Sequence, residues 1–419
     1  MAKLERKLGL FQTTVAGVGY ILGAGIYVLI GAASAYSGNA LWMSFVFAAL
    51  AALLTGLSYA ELSSMMPKAS GEYIYGKKSL GQFWGFFAAV FMIFSGIFTA
   101  SSVSIGFSNY FTSIFHINGI LLIAAGAIIL FSIINWKGIS DSSNLNVVCT
   151  LIEFLGLIII ILLAFYKGDT VNYLEMNNGF LGILKGASLI FFAFLGYEGI
   201  IKLSEETKDP KKNIPRALLL SVIITTVVYA AVAIAAVSIL DWQTLAKSAA
   251  PLSDVAAAVL GSKAFTLLGI IALFSTANTI LMSLVMSSRG IYGLGDDFKR
   301  LKKFSIVGKK STPTNAIVIT AIISILFLLL KDITLIAELT NFTVFVVFTL
   351  VNLSLIVLRY KQPNVKRSFK VPGSIGNFPV LPALGIIVMV VLLTRLNPSV
   401  LIGGAVLSGV LVPVYYMLK

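Results

Sequence analysis

Apolar residues run along this chain in long blocks separated by short polar joins, without the strict two-residue alternation of half-buried strands. A helix needs about 20 mostly apolar residues to cross a bilayer. By that measure the sequence predicts twelve spans, at 11–34, 41–65, 83–110, 119–136, 145–166, 182–203, 216–240, 262–290, 315–331, 333–358, 377–394 and 399–418. The joins leave no room for a separate soluble domain, so 1–419 reads as a single transmembrane domain of the all-α polytopic class.

Two blocks are interrupted by glycine. The first contains Gly17-Val18-Gly19-Tyr20-Ile21-Leu22-Gly23-Ala24-Gly25, and the sixth contains Phe191-Phe192-Ala193-Phe194-Leu195-Gly196-Tyr197-Glu198-Gly199. They stand five spans apart, an odd number, so a second set of five would enter the membrane in the opposite sense. This pattern predicts inverted repeats over 11–166 and 182–358, followed by two further helices over 377–418. Paired interruptions of this kind point to the binding site of a secondary transporter. The alternative is that these glycines only let helices approach closely.

Composition narrows the class. Of 419 residues, 58% are hydrophobic and only 11% charged, with mean hydropathy +0.96. Soluble domains carry about 25% charged residues, so a soluble enzyme and a disordered chain are excluded. One cysteine, Cys149, and one histidine, His116, give no basis for disulfides, Cys/His metal sites or a Cys–His dyad. No metal or cofactor is expected. Residues 1–7 form a short basic start rather than a cleavable signal.

The net charge of +14 raises nucleic acid as a partner, but its distribution argues for topology instead. With a cytoplasmic N-terminus, 25 of the 31 Lys and Arg residues fall in cytoplasmic segments, including Arg216, Arg289, Lys299, Arg300, Arg359 and Arg367. Such asymmetry follows the positive-inside rule. It predicts a multi-pass protein of the cell membrane with both termini cytoplasmic and no nucleic-acid partner. The oligomeric state is left open.

Unwound backbone inside a membrane is tolerated only where it lines a cavity or meets a ligand. The N–H groups around Gly23, Ala24, Gly25 and Ile26 would open the second half of the first span, where an anion such as a carboxylate is favoured. Carbonyls near Tyr20 and Ile21, joined by those of Phe191, Phe192 and Phe194, favour a cation. Together they form a plausible receptor for an α-amino acid.

Several ordered motifs accompany these interruptions. Gly23-Ala24-Gly25-Ile26-Tyr27 is followed by Tyr59-Ala60-Glu61-Leu62 and Pro67-Lys68-Ala69-Ser70-Gly71-Glu72-Tyr73-Ile74-Tyr75. The second half has Glu205-Glu206-Thr207-Lys208-Asp209-Pro210, Asn213-Ile214-Pro215, Arg289 with Tyr292, Pro313, and Arg359…Pro363…Arg367-Ser368-Phe369-Lys370-Val371-Pro372. Over nearly its whole length the sequence resembles the amino acid–polyamine–organocation (APC) superfamily of permeases, in particular its cationic amino acid transporter and archaeal–bacterial permease branch. The resemblance implies five-plus-five inverted repeats with two extra helices, and alternating-access transport of amino acids or related amines. The charges of the loop motifs, Glu61, Glu72, Glu205, Glu206 and Lys208, read as solvated groups or as partners of charges in neighbouring loops, acting as structural or gating latches.

Ionisable groups within spans are costly and mark candidate functional sites. Glu153, Glu198 and Glu338 qualify. Glu153 stands where many proton-coupled members of the superfamily carry a lysine, so lysine-based coupling does not transfer. Three readings stay open: Glu153 carries a proton with substrate, it holds a cation with Ser275 and Thr276, or it is a neutral structural group. Glu198 follows the second interruption and either couples to other helices or satisfies unwound backbone. Glu338 is expected to support the site indirectly.

Phe191, Phe192 and Phe194 suggest an apolar lining, with Phe194 the candidate gate, and favour a neutral amino acid. Asn278 either contacts substrate or bridges helices. His116 and Cys149 are expected to be incidental. The sequence thus predicts a proton-coupled (possible ion: sodium) amino acid transporter. The alternatives are an exchanger and a cationic amino acid or polyamine carrier. A membrane enzyme is remote, because the acidic pairs Glu205-Glu206 and Asp296-Asp297 lack a histidine or metal-like spacing.

Overall fold

The computed structural model describes residues 7–66, 71–308 and 312–419. Residues 67–70 of the motif beginning at Pro67 therefore lie outside the described residues, as do the side chains of Glu205 and Asp296. The chain is helical almost throughout. It opens with α1 (Leu10–Ile21), α2 (Ala24–Ser37), α3 (Leu41–Met65), α4 (Gly71–Ser79), α5 (Gln82–Phe115) and α6 (Ile120–Lys137). It continues with α7 (Ile139–Lys167), α8 (Gly179–Ile190), α9 (Pro210–Ile239), α10 (Trp242–Lys247), α11 (Pro251–Leu260) and α12 (Ser262–Asp297). It ends with α13 (Thr314–Phe327), α14 (Ile333–Lys361), α15 (Val380–Leu393) and α16 (Pro398–Leu418). A two-stranded hairpin, β1 (Ser374–Ile375) with β2 (Phe378–Pro379), lies between α14 and α15.

Among the described residues, nine segments are long and apolar enough to cross a membrane, and three shorter apolar helices accompany them. The molecule is an all-α, multi-pass membrane protein. Three helices fall outside the twelve blocks read from hydropathy: α4, α10 and α11. Two of them start on ordinary local signals: the Asp241 carboxylate caps α10 by accepting from the Thr244 N–H at 2.9 Å, and Pro251 opens α11.

Both glycine-rich blocks are broken as the sequence predicts. The first splits at Leu22-Gly23, where both residues are extended, giving α1 and α2. In the sixth, α8 gives way to a 3₁₀ turn at Phe191–Phe194, an extended Leu195, Gly196 at φ 111°, and a second 3₁₀ stretch at Tyr197–Glu205. Around these pieces α3 lies along α9, α12 runs along α5, and α14 packs against α5.

Candidate functional site

The two interruptions touch. A Cβ added to Gly25 would sit 2.5 Å from Cα of Ala193, so the start of α2 lies against the 3₁₀ turn of the sixth block. A Cβ on Gly196 would run into the Tyr20 carbonyl oxygen. Gly196 also holds a positive φ that favours glycine. Close approach and backbone geometry therefore require glycine here, and the unwound strands of both breaks face one space.

That space is a cavity of about 170 Å³. It falls below the roughly 300–1,000 Å³ of sites for drug-sized ligands, which restricts it to a small solute. Its backbone wall comes from Gly19, Tyr20, Ile21, Leu22, Gly23, Ala24 and Gly25, and from Phe192, Ala193, Leu195 and Gly196. Opposite stand Met92, Ser95, Gly96 and Thr99 of α5, with Asn278, Thr279, Met282, Ser283 and Met286 of α12. The α5 positions run from its middle toward its start, and the α12 positions from its middle toward its end. The cavity therefore extends from the breaks toward the end of the bundle where α1 and α5 begin and α12 finishes.

Away from that end the packing is closed. Tyr27 Oη donates to the Glu153 carbonyl at 2.8 Å, and Tyr110 Oη donates to the Tyr27 carbonyl at 2.7 Å. Tyr229 Oη donates to the Ile21 carbonyl at 3.0 Å. The Phe194 ring meets Tyr229 edge-on, with centroids 5.4 Å apart.

The structure brings Tyr20, Ile21, Gly23, Ala24, Gly25 and Phe192 to the cavity. Ile26, Phe191 and Phe194 are fully buried outside its lining. Phe191 instead packs its ring on Phe345 of α14, with centroids 4.9 Å apart. Sequence reasoning missed the α5 wall and most of the α12 wall. Their spacing was available as a signal, since Met92, Ser95/Gly96 and Thr99, like Asn278/Thr279, Met282/Ser283 and Met286, recur at three to four residues and share one helix face.

The three intramembrane acids occupy different settings. Glu198 lines the cavity, and its Oε2 accepts the Gly196 N–H at 3.0 Å, so it satisfies unwound backbone at the break. Glu153 on α7 is fully buried, and neither of its carboxylate oxygens has a hydrogen-bond partner. Ser275 of α12 sits beside it, but its hydroxyl stays out of hydrogen-bond geometry. Thr276 turns its hydroxyl back to the Ala272 carbonyl at 2.7 Å. Glu338 is remote from the cavity and accepts the Asn397 N–H at 2.7 Å, tying α14 to the start of α16.

A fourth acid, Glu61 at the end of α3, anchors a buried charge cluster. Its carboxylate accepts from Arg359 Nε at 3.0 Å, from Arg359 Nη2 at 2.6 Å and from the Val371 N–H at 2.7 Å. Arg367 Nε stands 3.0 Å from its Oε1.

The sequence profile described as Amino acid permease matches residues 8–415, essentially the whole chain. The chain belongs to the amino acid permease family. As the motifs implied, this places it within the APC superfamily, among transporters rather than enzymes. The permease is 30% identical over 416 residues to the branched-chain amino acid permease BcaP of Bacillus subtilis, covering 94% of this chain and 89% of that protein. It is 28% identical to the methylthioribose transporter of the same organism, covering 91% and 86%. Human cationic amino acid transporter 4 is 27% identical, covering 90% of the permease but 63% of the longer relative.

Proposed function

We propose that this permease is a secondary active transporter that carries a neutral amino acid by alternating access, coupled to protons. The observation that carries the reading is the pair of contacting helix breaks facing one small cavity. Amides opening α2 favour a carboxylate, and carbonyls at Tyr20, Ile21 and Phe192 favour an ammonium group. Beyond this zwitterion receptor Phe192, Leu195, Met92, Met282 and Met286 supply apolar surface, interspersed with Ser95, Thr99, Asn278 and Ser283, which suits an uncharged side chain. The branched-chain specificity named for BcaP is compatible with that lining.

Inverted repeats over 11–166 and 182–358, with two helices over 377–418, belong to the same proposal, as do a cell-membrane location and cytoplasmic termini. Phe194, packed on Tyr229, is the proposed gate on the closed side. Glu153 is the proposed coupling group, with Ser275 and Thr276 nearby. A buried carboxyl group with no partner is satisfied by a proton or a cation, and its carbonyl is bonded to Tyr27 on α2, next to the substrate receptor.

The test is uptake of labelled neutral amino acids into sodium-free proteoliposomes, with and without an inward proton gradient. Accumulation should follow the gradient. Uptake that appears only after preloading with unlabelled amino acid would replace symport with exchange. Glu153→Gln should abolish accumulation while leaving exchange intact, and unchanged gradient dependence in that variant would remove Glu153 from coupling. A second reading, a cationic amino acid or polyamine carrier, is favoured by the Glu198 carboxylate in the cavity wall. Inhibition of leucine uptake by L-lysine or spermidine would support it.

A further inference from the structure

The N–H that opens α2 is already engaged. Ala24 donates to Thr279 Oγ1 at 3.0 Å, across 255 positions of sequence. The same hydroxyl oxygen is what a Cβ on Gly23 would meet, at 2.9 Å. Thr279 therefore holds an acceptor oxygen at the amide end of the break, where a carboxylate oxygen would bind. At the other end, Tyr229 Oη places a donor on the Ile21 carbonyl at 3.0 Å. An acceptor at the amides and a donor at the carbonyls reproduce, from side chains, the two charged ends of an amino acid.

The two stand-ins differ in one respect. A carbonyl oxygen has two lone pairs, so Ile21 can keep Tyr229 while accepting from a second donor. A single N–H has one hydrogen to direct. Only Thr279 competes with ligand. The contact also joins α12 to α2, and both residues line the cavity.

Building on the amino acid transport reading, we infer that Thr279 is a displaceable surrogate for the substrate carboxylate, holding the Ala24 N–H while the site is empty and yielding it on loading. Displacement is favourable because hydrogen bonds to a charged acceptor are roughly twice as strong as those to a neutral hydroxyl. Loading then breaks the direct tie between α12 and α2. A ligand without a carboxylate leaves that tie in place, so Thr279 makes the release specific to acids.

Equilibrium binding to the purified full-length protein tests this, using L-leucine, L-methionine, L-serine and L-lysine, each alongside the amine that lacks its carboxyl group. Thr279→Val and Thr279→Ala delete the competing acceptor. They should bind the preferred amino acid about two- to tenfold more tightly, the worth of one neutral hydrogen bond. Affinity for the matching decarboxylated amine should move less than twofold, and Thr279→Ser, which keeps the acceptor, should retain wild-type affinity. If the wild-type protein binds the amino acid but neither Thr279→Val nor Thr279→Ala tightens, or either weakens, the surrogate role is overturned and transport stands. A wild-type protein that binds none of the panel overturns the transport reading, and this inference with it.

Discussion

Glu61→Leu is expected to be the most destabilising single replacement in the protein. The Glu61 carboxylate is fully buried and is the acid to which both Arg359 and Arg367 are paired, with those side chains only 2% and 8% exposed. Removing one partner from a buried ion pair costs about 3–5 kcal/mol, because the opposite charge stays buried without compensation. Here two guanidinium groups lose their partner, and the Val371 N–H loses its acceptor. The cluster also ties the end of α3 to the end of α14 and to the segment before β1, so the loss loosens three elements together. Thermal denaturation of the purified variant should show early loss of the monodisperse species. Replacing the charges together, as Glu61→Leu with Arg359→Met and Arg367→Met, should recover part of that stability, because apolar groups often substitute for a buried charge cluster. The rest stays lost, because the Val371 N–H and the carbonyls that Arg359 and Arg367 serve lose their partners. A single variant as stable as wild type would show that the cluster contributes little.

That cluster also shows what one sequence can and cannot disclose. The Tyr59-Ala60-Glu61-Leu62 motif and the Arg359-to-Pro372 run were both visible, and pairing between loop charges was among the readings offered for Glu61. Their meeting was not visible, because Glu61 and Arg359 stand 298 positions apart and nothing in either motif names the other. The spans were legible because the bilayer imposes a length and an apolarity on each. The breaks were legible because glycine is costly inside a helix unless something needs it. Which face of each span looks inward was far harder to read. Lipid is as apolar as the protein interior, so Leu122 and Phe165 face outward at 81% and 86% exposure while Phe191 is fully buried. Hydrophobicity does not distinguish such positions. For that reason the α5 wall and Thr279 escaped notice, and Phe194, chosen for its place in the break, turned out to pack on Tyr229 outside the lining.

Gly196→Ala is expected to reduce uptake to background while the protein still reaches the membrane. Two penalties coincide at this position. Its φ of 111° lies where a side chain is strained, at a cost of about 1–3 kcal/mol. The new methyl group would also overlap the Tyr20 carbonyl, and overpacking adds about 1–3 kcal/mol when backbone must shift. A shift is the functional problem. The Tyr20 carbonyl belongs to the cation-favouring end of the first break, and Gly196 donates its N–H to Glu198 in the same cavity wall. Moving either strand opens the contact between the two interruptions and displaces the carbonyls assigned to the proposed ammonium receptor. Misplacement of about 1 Å in such preorganised groups is enough to cost roughly a hundredfold in function. Gly126→Ala provides the control, because nothing lies within 4 Å of a Cβ at that position on α6 and the residue is remote from the cavity. It should express and transport as wild type does. Proteoliposome uptake normalised to reconstituted protein, together with a thermal-stability measurement, separates the cases. If Gly196→Ala transports at the rate of Gly126→Ala, the two breaks do not need their present contact and the receptor must be assembled from other groups.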